Sequence, residues 1–260
     1  MKLTVLTDNH AGGKFLAEHG ISYLVEYDNH TLLFDTGHSN AFLKNAELLH
    51  INLNDFVNTI VLSHGHWDHG DGLRFISNKT LVTHPLSFIK RFRKKDNTPI
   101  GLTLNKEEIE QRFDLKTSVK PYLVSDKIIF LGEIPRVNDF ECKHTPYVDE
   151  DGNPDFVTDD SAVVLIDKDE IVIVTGCSHS GICNIIDYAK KIFKRKRIKA
   201  VIGGFHLKDD GIKTQLTIQH LRKNDIQNIY PAHCTELPAL AAFYSEFKIQ
   251  QVKTGMIINF

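Results

Sequence analysis

The chain has 260 residues, and its 31 Lys and Arg residues nearly balance its 33 Asp and Glu residues, which gives a formal net charge of −2. Hydrophobic residues make up 42% and charged residues 25%, the proportions typical of a globular protein. These values exclude a disordered, collagen-like or coiled-coil chain. The near-neutral charge argues against a whole-protein electrostatic role at nucleic acids or membranes.

The four cysteines form no CxxC pair and are too sparse for a disulfide scaffold. The first residues, MKLTVLTDN, lack the apolar core of a signal peptide, and no apolar run reaches the length of a membrane span. We therefore expect a protein of the reducing cytoplasm. The 14 histidines are the unusual feature of the composition, because several of them cluster.

Apolar runs and period-two alternation predict short strands along the whole chain. These strands lie at residues 3–6, 22–27, 30–35, 59–63, 79–83, 128–131, 162–166, 171–175, 200–202 and 228–231. Helical spacing of apolar residues predicts helices at 39–50, 71–76, 106–113, 183–193, 215–223 and 237–247. Asp28 and Asn29 favour a tight hairpin between two of the strands. Asn105 and Glu108 predict a capping box at a helix start.

Residues 85–121 interrupt this alternation of predicted strands and helices. They carry a basic run, a turn and an isolated amphipathic helix; the run consists of Lys90, Arg91, Arg93, Lys94 and Lys95. We predict a single domain over residues 1–260, with an inserted lid over a site at about 85–121 whose basic run helps to bind an anionic substrate. A solvated insertion with no role is the alternative.

Four side chains able to bind metals follow the strand at 59–63 within six positions: His64, His66, Asp68 and His69. In an extended turn His64 and His66 point to the same side and can chelate one cation. Asp68 and His69 come after the backbone has turned and can face a second cation. Two cations about 3.5–4 Å apart suit hydrolysis, because they form and hold a hydroxide between them. Imidazole and carboxylate ligands suit zinc, manganese or iron.

The pattern HxHxDH after a strand resembles the signature of the metallo-β-lactamase superfamily. Residues 33–37 (LFDTG), 175–179 (TGCSH) and 231–234 (PAHC) resemble its other motifs. With 18–22 (EHGIS), 203–207 (GGFHL) and 233–235 (HCT), they resemble the branch named for dihydropterin-ribofuranosylaminobenzene-phosphate synthase. Glu236 departs from the glycine that usually follows His-Cys-Thr in this branch. The resemblance implies an α/β fold of four layers, αββα, with two mixed sheets flanked by helices and metals at one edge.

The resemblance also implies two sets of metal ligands, one for each of two divalent ions: His64, His66 and His179, and then Asp68, His69 and His233. Cys177 stands where the superfamily usually has a bridging aspartate. Its thiolate either bridges the ions, since a metal lowers the pKa of a thiol, or Cys177 is a small buried residue and water alone forms the bridge. Zinc is the expected metal, with manganese or iron as alternatives.

Other polar residues are candidates for orientation, catalysis and substrate contact. Asp35 caps its own turn and orients a ligand histidine. Asp68 and His206 are the predicted catalytic residues. His206 either donates a hydrogen bond to a phosphate or oxyanion or acts as a general acid, with a purely structural histidine as the alternative. Glu18 and His19 lie in a loop expected to reach the mouth of the site and contact substrate.

These residues predict a metal-dependent hydrolase or a phosphoryl- or pyrophosphoryl-transfer enzyme. Its substrate would be a small anionic metabolite attacked by a metal-activated water, and the resemblance implies that this metabolite contains a phosphate or a pterin. A di-iron redox enzyme and a non-catalytic, metal-bound ligand sensor are the alternatives. We expect neither a nucleic-acid partner, because the basic runs lack interleaved aromatic residues, nor a membrane partner. The sequence does not indicate the oligomeric state.

Overall fold

The computed structural model describes residues 1–194 and 196–260. Its first sheet has seven strands, in this order from edge to edge: β15 (Ile257–Asn259), β1 (Lys2–Thr7), β2 (Ser22–Tyr27), β3 (His30–Phe34), β4 (Thr59–Val61), β5 (Thr80–Thr83) and β7 (Asp114–Thr117). The second sheet has six, in this order: β14 (Asn228–Ala232), β13 (Arg197–Gly204), β12 (Glu170–Thr175), β11 (Ala162–Asp167), β9 (Ile128–Phe130) and β8 (Tyr122–Ser125). A separate ribbon pairs β6 (Arg91–Arg93) with β10 (Tyr147–Asp149).

Helices cover the outer face of each sheet. On the first sheet they are α1 (Ala41–Leu48), α2 (Leu53–Phe56) and α4 (Lys106–Arg112). On the second they are α5 (Ile182–Ile192), α6 (Ile212–Lys223) and α7 (Leu237–Phe247). A single turn, α3 (Trp67–Gly70), continues into a 3₁₀ helix at Asp71–Phe75, and a second 3₁₀ helix spans Pro85–Phe88. The predicted fold class, with two mixed sheets flanked by helices, is confirmed.

Alternating side chains divide the apolar residues among three cores. On β12, Val172 and Val174 face the central core between the sheets, whereas Ile171 and Ile173 pack against the outer helices. A strand with apolar residues at every position fits this place, because both of its faces are buried. The continuous apolar runs of the sequence therefore become strands covered on both sides.

Both sheets are mixed, and their parallel parts direct loops to one edge. In the first sheet β3, β4 and β5 run parallel, and in the second β12, β13 and β14 run parallel. The carboxyl ends of parallel neighbours lie at the same edge of a sheet, so the loops that follow them are brought together. The predicted ligands all lie in loops of this kind.

The predicted strands all fall on observed strands. Asp28 and Asn29 have φ values of 54° and 60°, as a tight hairpin turn requires. The capping box of Asn105 and Glu108 is present. The helical stretch predicted at 71–76 is a 3₁₀ helix, Asp71–Phe75, in the structure. The predictions did not include β6, β7, β8, β10 and β15, which are short and carry half-exposed side chains.

Residues 85–121 are shared between two parts of the fold. Their second half is built into the first sheet, because β7 pairs with β5 and Ile109 of α4 is fully buried in the outer core. Their first half supplies β6, whose ribbon borders the cavity described below through Arg93 and its partner strand's Tyr147. Within residues 1–194 and 196–260, no helix has both the length and the apolar character needed to cross a membrane.

Candidate metal centre

Three imidazoles converge where the loops after β4 and β12 meet. Ring nitrogens of His64, His66 and His179 lie within 4.8 Å of one another. Nε2 of His66 and Nε2 of His179 are buried and have no hydrogen-bond partner among the described residues. A buried, unpaired polar atom is costly, and a divalent cation would satisfy both nitrogens at once. The three residues therefore fit one metal ion.

A second group of donors lies beside the first. Nε2 of His69 is 3.2 Å from Sγ of Cys177 and 3.7 Å from Oδ2 of Asp68. Oδ2 of Asp68 is also 3.2 Å from Nε2 of His233. Nitrogen and sulfur ligands of a tetrahedral zinc ion lie about 3.3–3.6 Å from one another, given the usual metal–ligand bond lengths. Cys177 and His233, and likewise Asp68 and His233, belong to groups of donors that could hold a second metal ion, whereas Asp68, His69 and His233 do not form one such group together among the described residues.

Polar partners hold three of the imidazoles through Nδ1. The pairs and distances are His69 with Oδ2 of Asp35 at 2.7 Å, His64 with Oγ of Ser63 at 2.9 Å, and His233 with Oδ1 of Asn9 at 2.8 Å. A carboxylate or amide oxygen accepts the Nδ1 proton, which leaves the Nε2 lone pair free for a metal. The rings of His69 and His233 are therefore oriented with Nε2 toward the second group of donors, and a cation that binds Nε2 of His69 displaces any proton there.

Asp35 ends one strand and contacts a predicted ligand histidine on another loop. Its φ of 54° ends β3 in a turn, and its two oxygens accept hydrogen bonds from the backbone and hydroxyl of Ser63 as well as from His69. Gly176 makes room for this network, because a Cβ there would lie 2.2 Å from Oγ of Ser63. The carboxylate thus ties the loop after β3 to the loop after β4.

Burial and neighbouring charges shift the pKa of His69 in the opposite direction from the pKa values of the three histidines in the first group of donors. Burial is the main reason that the pKa values of His64, His66 and His179 lie well below the usual value, so these imidazoles are neutral near pH 7. Burial also disfavours charge on His69, but the carboxylates of Asp68 and Asp35 outweigh it and raise its pKa to about 9.

The carboxylate and the thiol of the second group are affected in opposite directions. Burial favours the neutral form of Asp68, yet His69, His19 and His233 hold its pKa well below the usual range. Burial raises the pKa of the Cys177 thiol, which therefore stays protonated until a cation displaces its proton. Asp68 is thus the permanent anion of the centre.

Four non-glycine residues of the site have left-handed backbone conformations. The φ values are 54° for Asp35, 54° for Ser178, 48° for His206 and 49° for His233. Such conformations cost about 1–3 kcal/mol each and persist only where surrounding contacts impose them. Their concentration at one sheet edge indicates that these loops are shaped for the side chains they present.

A cavity of about 600 Å³ opens over the donors. Two cationic side chains, Arg93 and Lys208, line it, together with an apolar group of Trp67, Ile100, Leu237 and Leu240. A smaller cavity of about 230 Å³ adjoins it and shares the side chains of Tyr147, His179 and His206. The donors therefore face a space of the size that small-molecule ligands occupy.

Comparisons with known proteins agree with this geometry. The family model of the metallo-β-lactamase superfamily matches residues 18–87, which include the HxHxDH segment. A 7,8-dihydropterin-6-methyl-4-(β-D-ribofuranosyl)-aminobenzene-5′-phosphate synthase of Methanocaldococcus jannaschii is 34% identical over 288 residues, covering 100% of this chain and 97% of that protein. The chain belongs to the metallo-β-lactamase superfamily. An uncharacterised protein of the same organism is 36% identical over 248 residues and 92% of each chain.

Solved structures share the architecture. Tm1679, described as a metal-dependent hydrolase of the β-lactamase superfamily, superposes with a TM-score of 0.89 at 28% identity and covers 100% of this chain and 99% of its own. A diphosphatase from the PhnP family has a TM-score of 0.60 at 14% identity, over 100% of this chain and 97% of its own, which shows a common fold alone.

The remaining predicted site residues separate into two groups within this superfamily fold. His206 and His19 line the cavity. Burial, followed by the charges of Lys213 and Lys208, lowers the pKa of His206 to about 4, so its imidazole is neutral near pH 7. His19 is half-exposed and lies 3.3 Å from Oδ2 of Asp68.

Glu18 has a different position from the one predicted. Its carboxylate accepts hydrogen bonds from the backbone N–H groups of His38 and Ser39, and it is not among the described residues that line the cavity. These hydrogen bonds hold the turn at His38 and Ser39. Glu236, which replaces a glycine of the related branch, lines the cavity with an ordinary φ of −76°.

The basic run at 90–95 is only partly available to a ligand. Arg91 is fully buried, with its guanidinium 3.0 Å from Oδ1 of Asp159 and 3.3 Å from Oδ2 of Asp155. Asp159 also accepts a hydrogen bond of 2.7 Å from the N–H of Gly65, which lies between two predicted ligand histidines. Arg91 therefore supports the HxHxDH loop, whereas Arg93 faces the cavity.

Asn9, Cys234 and Tyr147 were not among the predicted site residues. Asn9 lies in the polar segment that follows β1, which resembles an ordinary turn, and only the fold brings it to His233. Cys234 directly follows the predicted ligand His233 in the sequence, and this position could have indicated that it belongs to the site. Tyr147 lies on a strand that was not predicted, with its ring 5.0 Å from that of His66.

Proposed function

We propose that this protein is a metal-dependent enzyme that cleaves or transfers the phosphoryl or pyrophosphoryl group of a small anionic metabolite. The observation that carries the proposal is the convergence of His64, His66 and His179, with unpaired buried nitrogens, beside the donors Asp68 and His69. This donor set suits two divalent ions, foremost zinc, with manganese or iron as alternatives. Bound there, such ions would supply an activated water and Lewis acidity at the scissile group.

The residues of the chain have separate roles in this proposal. Asp68 keeps a negative charge in the second group of donors, and its contacts with His19 and His233 fix the carboxylate. His206 is neutral and lies beside His179, with 4.5 Å between ring centroids. A neutral imidazole donates an N–H to a phosphoryl oxygen, so His206 would steady the negative charge that develops during transfer.

The cavity supports a substrate that combines an anionic group with a flat apolar body. Arg93 and Lys208 supply positive charge, and Trp67 with Leu237 and Leu240 supplies apolar surface. A volume of about 600 Å³ accommodates a metabolite with a ring system and a phosphate. The relative named as a dihydropterin-linked phosphate synthase and the relative described as a metal-dependent hydrolase support the same class.

The test combines metal content with turnover. Protein purified without chelator or added metal is analysed for metal per chain and then assayed with bis(p-nitrophenyl) phosphate and with a pterin pyrophosphate. We expect about two zinc or manganese ions per chain and metal-dependent turnover of at least one compound. His66→Ala should lose metal and turnover. The matched control, His30→Ala, lies at the opposite end of β3 and should retain both.

Three results would overturn the proposal. Protein that binds no metal after reconstitution would exclude a metal-dependent reaction. Two irons per chain, with a visible spectrum that changes on oxidation and no phosphoryl turnover, would identify the redox enzyme. Tight binding of a pterin phosphate without turnover would identify a ligand sensor.

A further inference from the structure

We infer that Cys234 supplies a second thiolate, beside that of Cys177, to the second metal position. This inference rests on the proposed metal centre and concerns the chemistry of one of its two positions. It assigns a ligand role to a residue outside the HxHxDH pattern and the predicted set of histidines. The second position would then hold two sulfur donors next to the nitrogen of His233.

The geometry places both sulfur atoms among metal donors. The Sγ atoms of Cys177 and Cys234 and a ring nitrogen of His233 all lie within 4.8 Å of one another. The thiol of Cys234 lies 3.6 Å from the carbonyl oxygen of Cys177, and both cysteines line the large cavity. Cys177 in turn contacts Nε2 of His69 at 3.2 Å. The sulfur atoms thus continue the line of donors that begins at His69.

The backbone around Cys234 is shaped to hold it there. A Cβ on Gly204 would lie 2.5 Å from Sγ of Cys234 and 3.3 Å from Cα of Cys177, so only glycine leaves room for the thiol between these loops. On one side, the N–H of His233 donates to Asp8; on the other, Oγ1 of Thr235 accepts a hydrogen bond of 3.0 Å from the N–H of Phe205. Both neighbours of Cys234 are therefore fixed.

The other two cysteines have ordinary structural surroundings. Cys183 is fully buried in α5 among apolar residues of the outer core. The thiol of Cys142 donates to the carbonyl oxygen of His179. Neither belongs to a group of donors in the described part of the chain that could hold a metal. They provide matched controls, because replacing them removes a sulfur atom without touching the second position.

Two thiolates change which cations this position accepts. Sulfur ligands favour zinc, cobalt or cadmium over magnesium and manganese, which prefer oxygen. Each thiol that binds a cation loses its proton to solvent, so binding of one ion releases two thiol protons. The position would therefore be selective for softer cations, in contrast to the all-imidazole position of His64, His66 and His179.

The test uses cobalt(II) alone as the probe, because a cobalt–thiolate bond gives a sulfur-to-metal absorption band in the near ultraviolet. The full chain is loaded with two equivalents of cobalt(II), and bound cobalt is measured independently. We expect the wild-type protein to show the band. Cys177→Ser and Cys234→Ser should each lose about half of its intensity and the double variant nearly all, since each removes one of two thiolate bonds. Cys142→Ser and Cys183→Ser should retain the full band.

A second measurement needs no variant of the site. In the wild-type protein, bound cobalt should slow the alkylation of Cys234 by iodoacetamide, because a coordinated thiolate is shielded. The extent of alkylation is measured by peptide mass spectrometry. An unchanged band in folded Cys234→Ser, or equal alkylation of Cys234 with and without bound cobalt, would overturn the inference. Two cobalt ions bound without any sulfur band would also overturn it and leave the metal centre standing. Failure to bind cobalt would overturn the proposed function itself, and this inference with it.

Discussion

Asn9 connects two histidines of the site through one side chain. Its Oδ1 accepts the Nδ1 proton of His233 at 2.8 Å, and its Nδ2 lies 3.3 Å from Nδ1 of His19. The same Oδ1 accepts a hydrogen bond from the N–H of Gly20. A partner of this kind fixes both the tautomer and the direction of a ligand imidazole. The metal affinity of His233 should therefore depend on a residue that is itself no ligand.

We predict that Asn9→Ala lowers zinc affinity at the second position about 10–100-fold, because the ring of His233 loses its orienting acceptor. The first position, which does not use His233, should keep its affinity. Competition with a chromophoric chelator resolves the two binding steps. Asn54→Ala, at an exposed position on α2, is the control and should bind zinc like the wild type. Equal affinities in Asn9→Ala and wild type would contradict this role.

At the scale of elements, the ribbon of β6 and β10 is attached to the site by a buried ion cluster. Arg91 on β6 contacts Asp155 and Asp159, and Asp159 holds the N–H of Gly65 in the HxHxDH loop. No residue other than glycine fits at position 65, because a Cβ there would lie 1.8 Å from the carbonyl oxygen of Ser87. The HxHxDH loop is thus held by Asp159 on one side and by close packing against Ser87 on the other.

Removing Arg91 would leave two buried carboxylates without their cation. We predict that Arg91→Met lowers the free energy of unfolding by about 3–5 kcal/mol, the usual cost of breaking one side of a buried ion pair. Arg93→Met, two residues along the same strand and half-exposed, should change it by no more than about 0.5 kcal/mol. Urea unfolding of the two variants measures both values. A loss in Arg91→Met as small as that in Arg93→Met would contradict the structural role of the cluster.

The central strands could be predicted from the sequence, and the edge strands could not. Runs such as the one on β12 bury both faces and are therefore continuously apolar. By contrast, β7 exposes Asp114, Lys116 and Thr117, and an edge strand of this composition has no pattern that separates it from a loop. Its sheet pairing with β5 decides its conformation, and this partner is distant in sequence.

In the site, too, features that depend on neighbouring residues could be predicted from the sequence, whereas features that depend on distant residues could not. The predicted ligands of the HxHxDH segment lie within six residues, so their chemistry can be inferred from the sequence alone. The burial of Arg91 was not visible, because a basic run such as KRFRKK is normally a solvated surface. The carboxylates of Asp155 and Asp159, which lie more than sixty residues further along the chain, pair with Arg91 and make its burial possible. Asn9 depends in the same way on a partner more than two hundred residues away.

At the scale of the whole molecule, the donors lie outside the apolar cores that hold the fold together. The central core and the two outer cores are built from strand and helix residues, whereas the histidines of the proposed metal centre lie in loops at one sheet edge. The thiol of Cys177 is buried, but it too lies in a loop, the one that follows β12. Folding should therefore not require the metal, although bound metal should add to stability.

We predict that the protein stays folded after exhaustive treatment with chelator and that its thermal midpoint falls. A ligand at 100 times its dissociation constant stabilises the native state by about 2.7 kcal/mol, which for a chain of this size corresponds to about 5–10 °C. Calorimetry with and without zinc measures the shift. His66→Ala should show a smaller shift than the wild type because one position is lost, whereas His30→Ala should show the full shift. A chelated protein that is already unfolded at 25 °C would place the metal within the folding core, and an unchanged midpoint would mean that the donors bind no zinc.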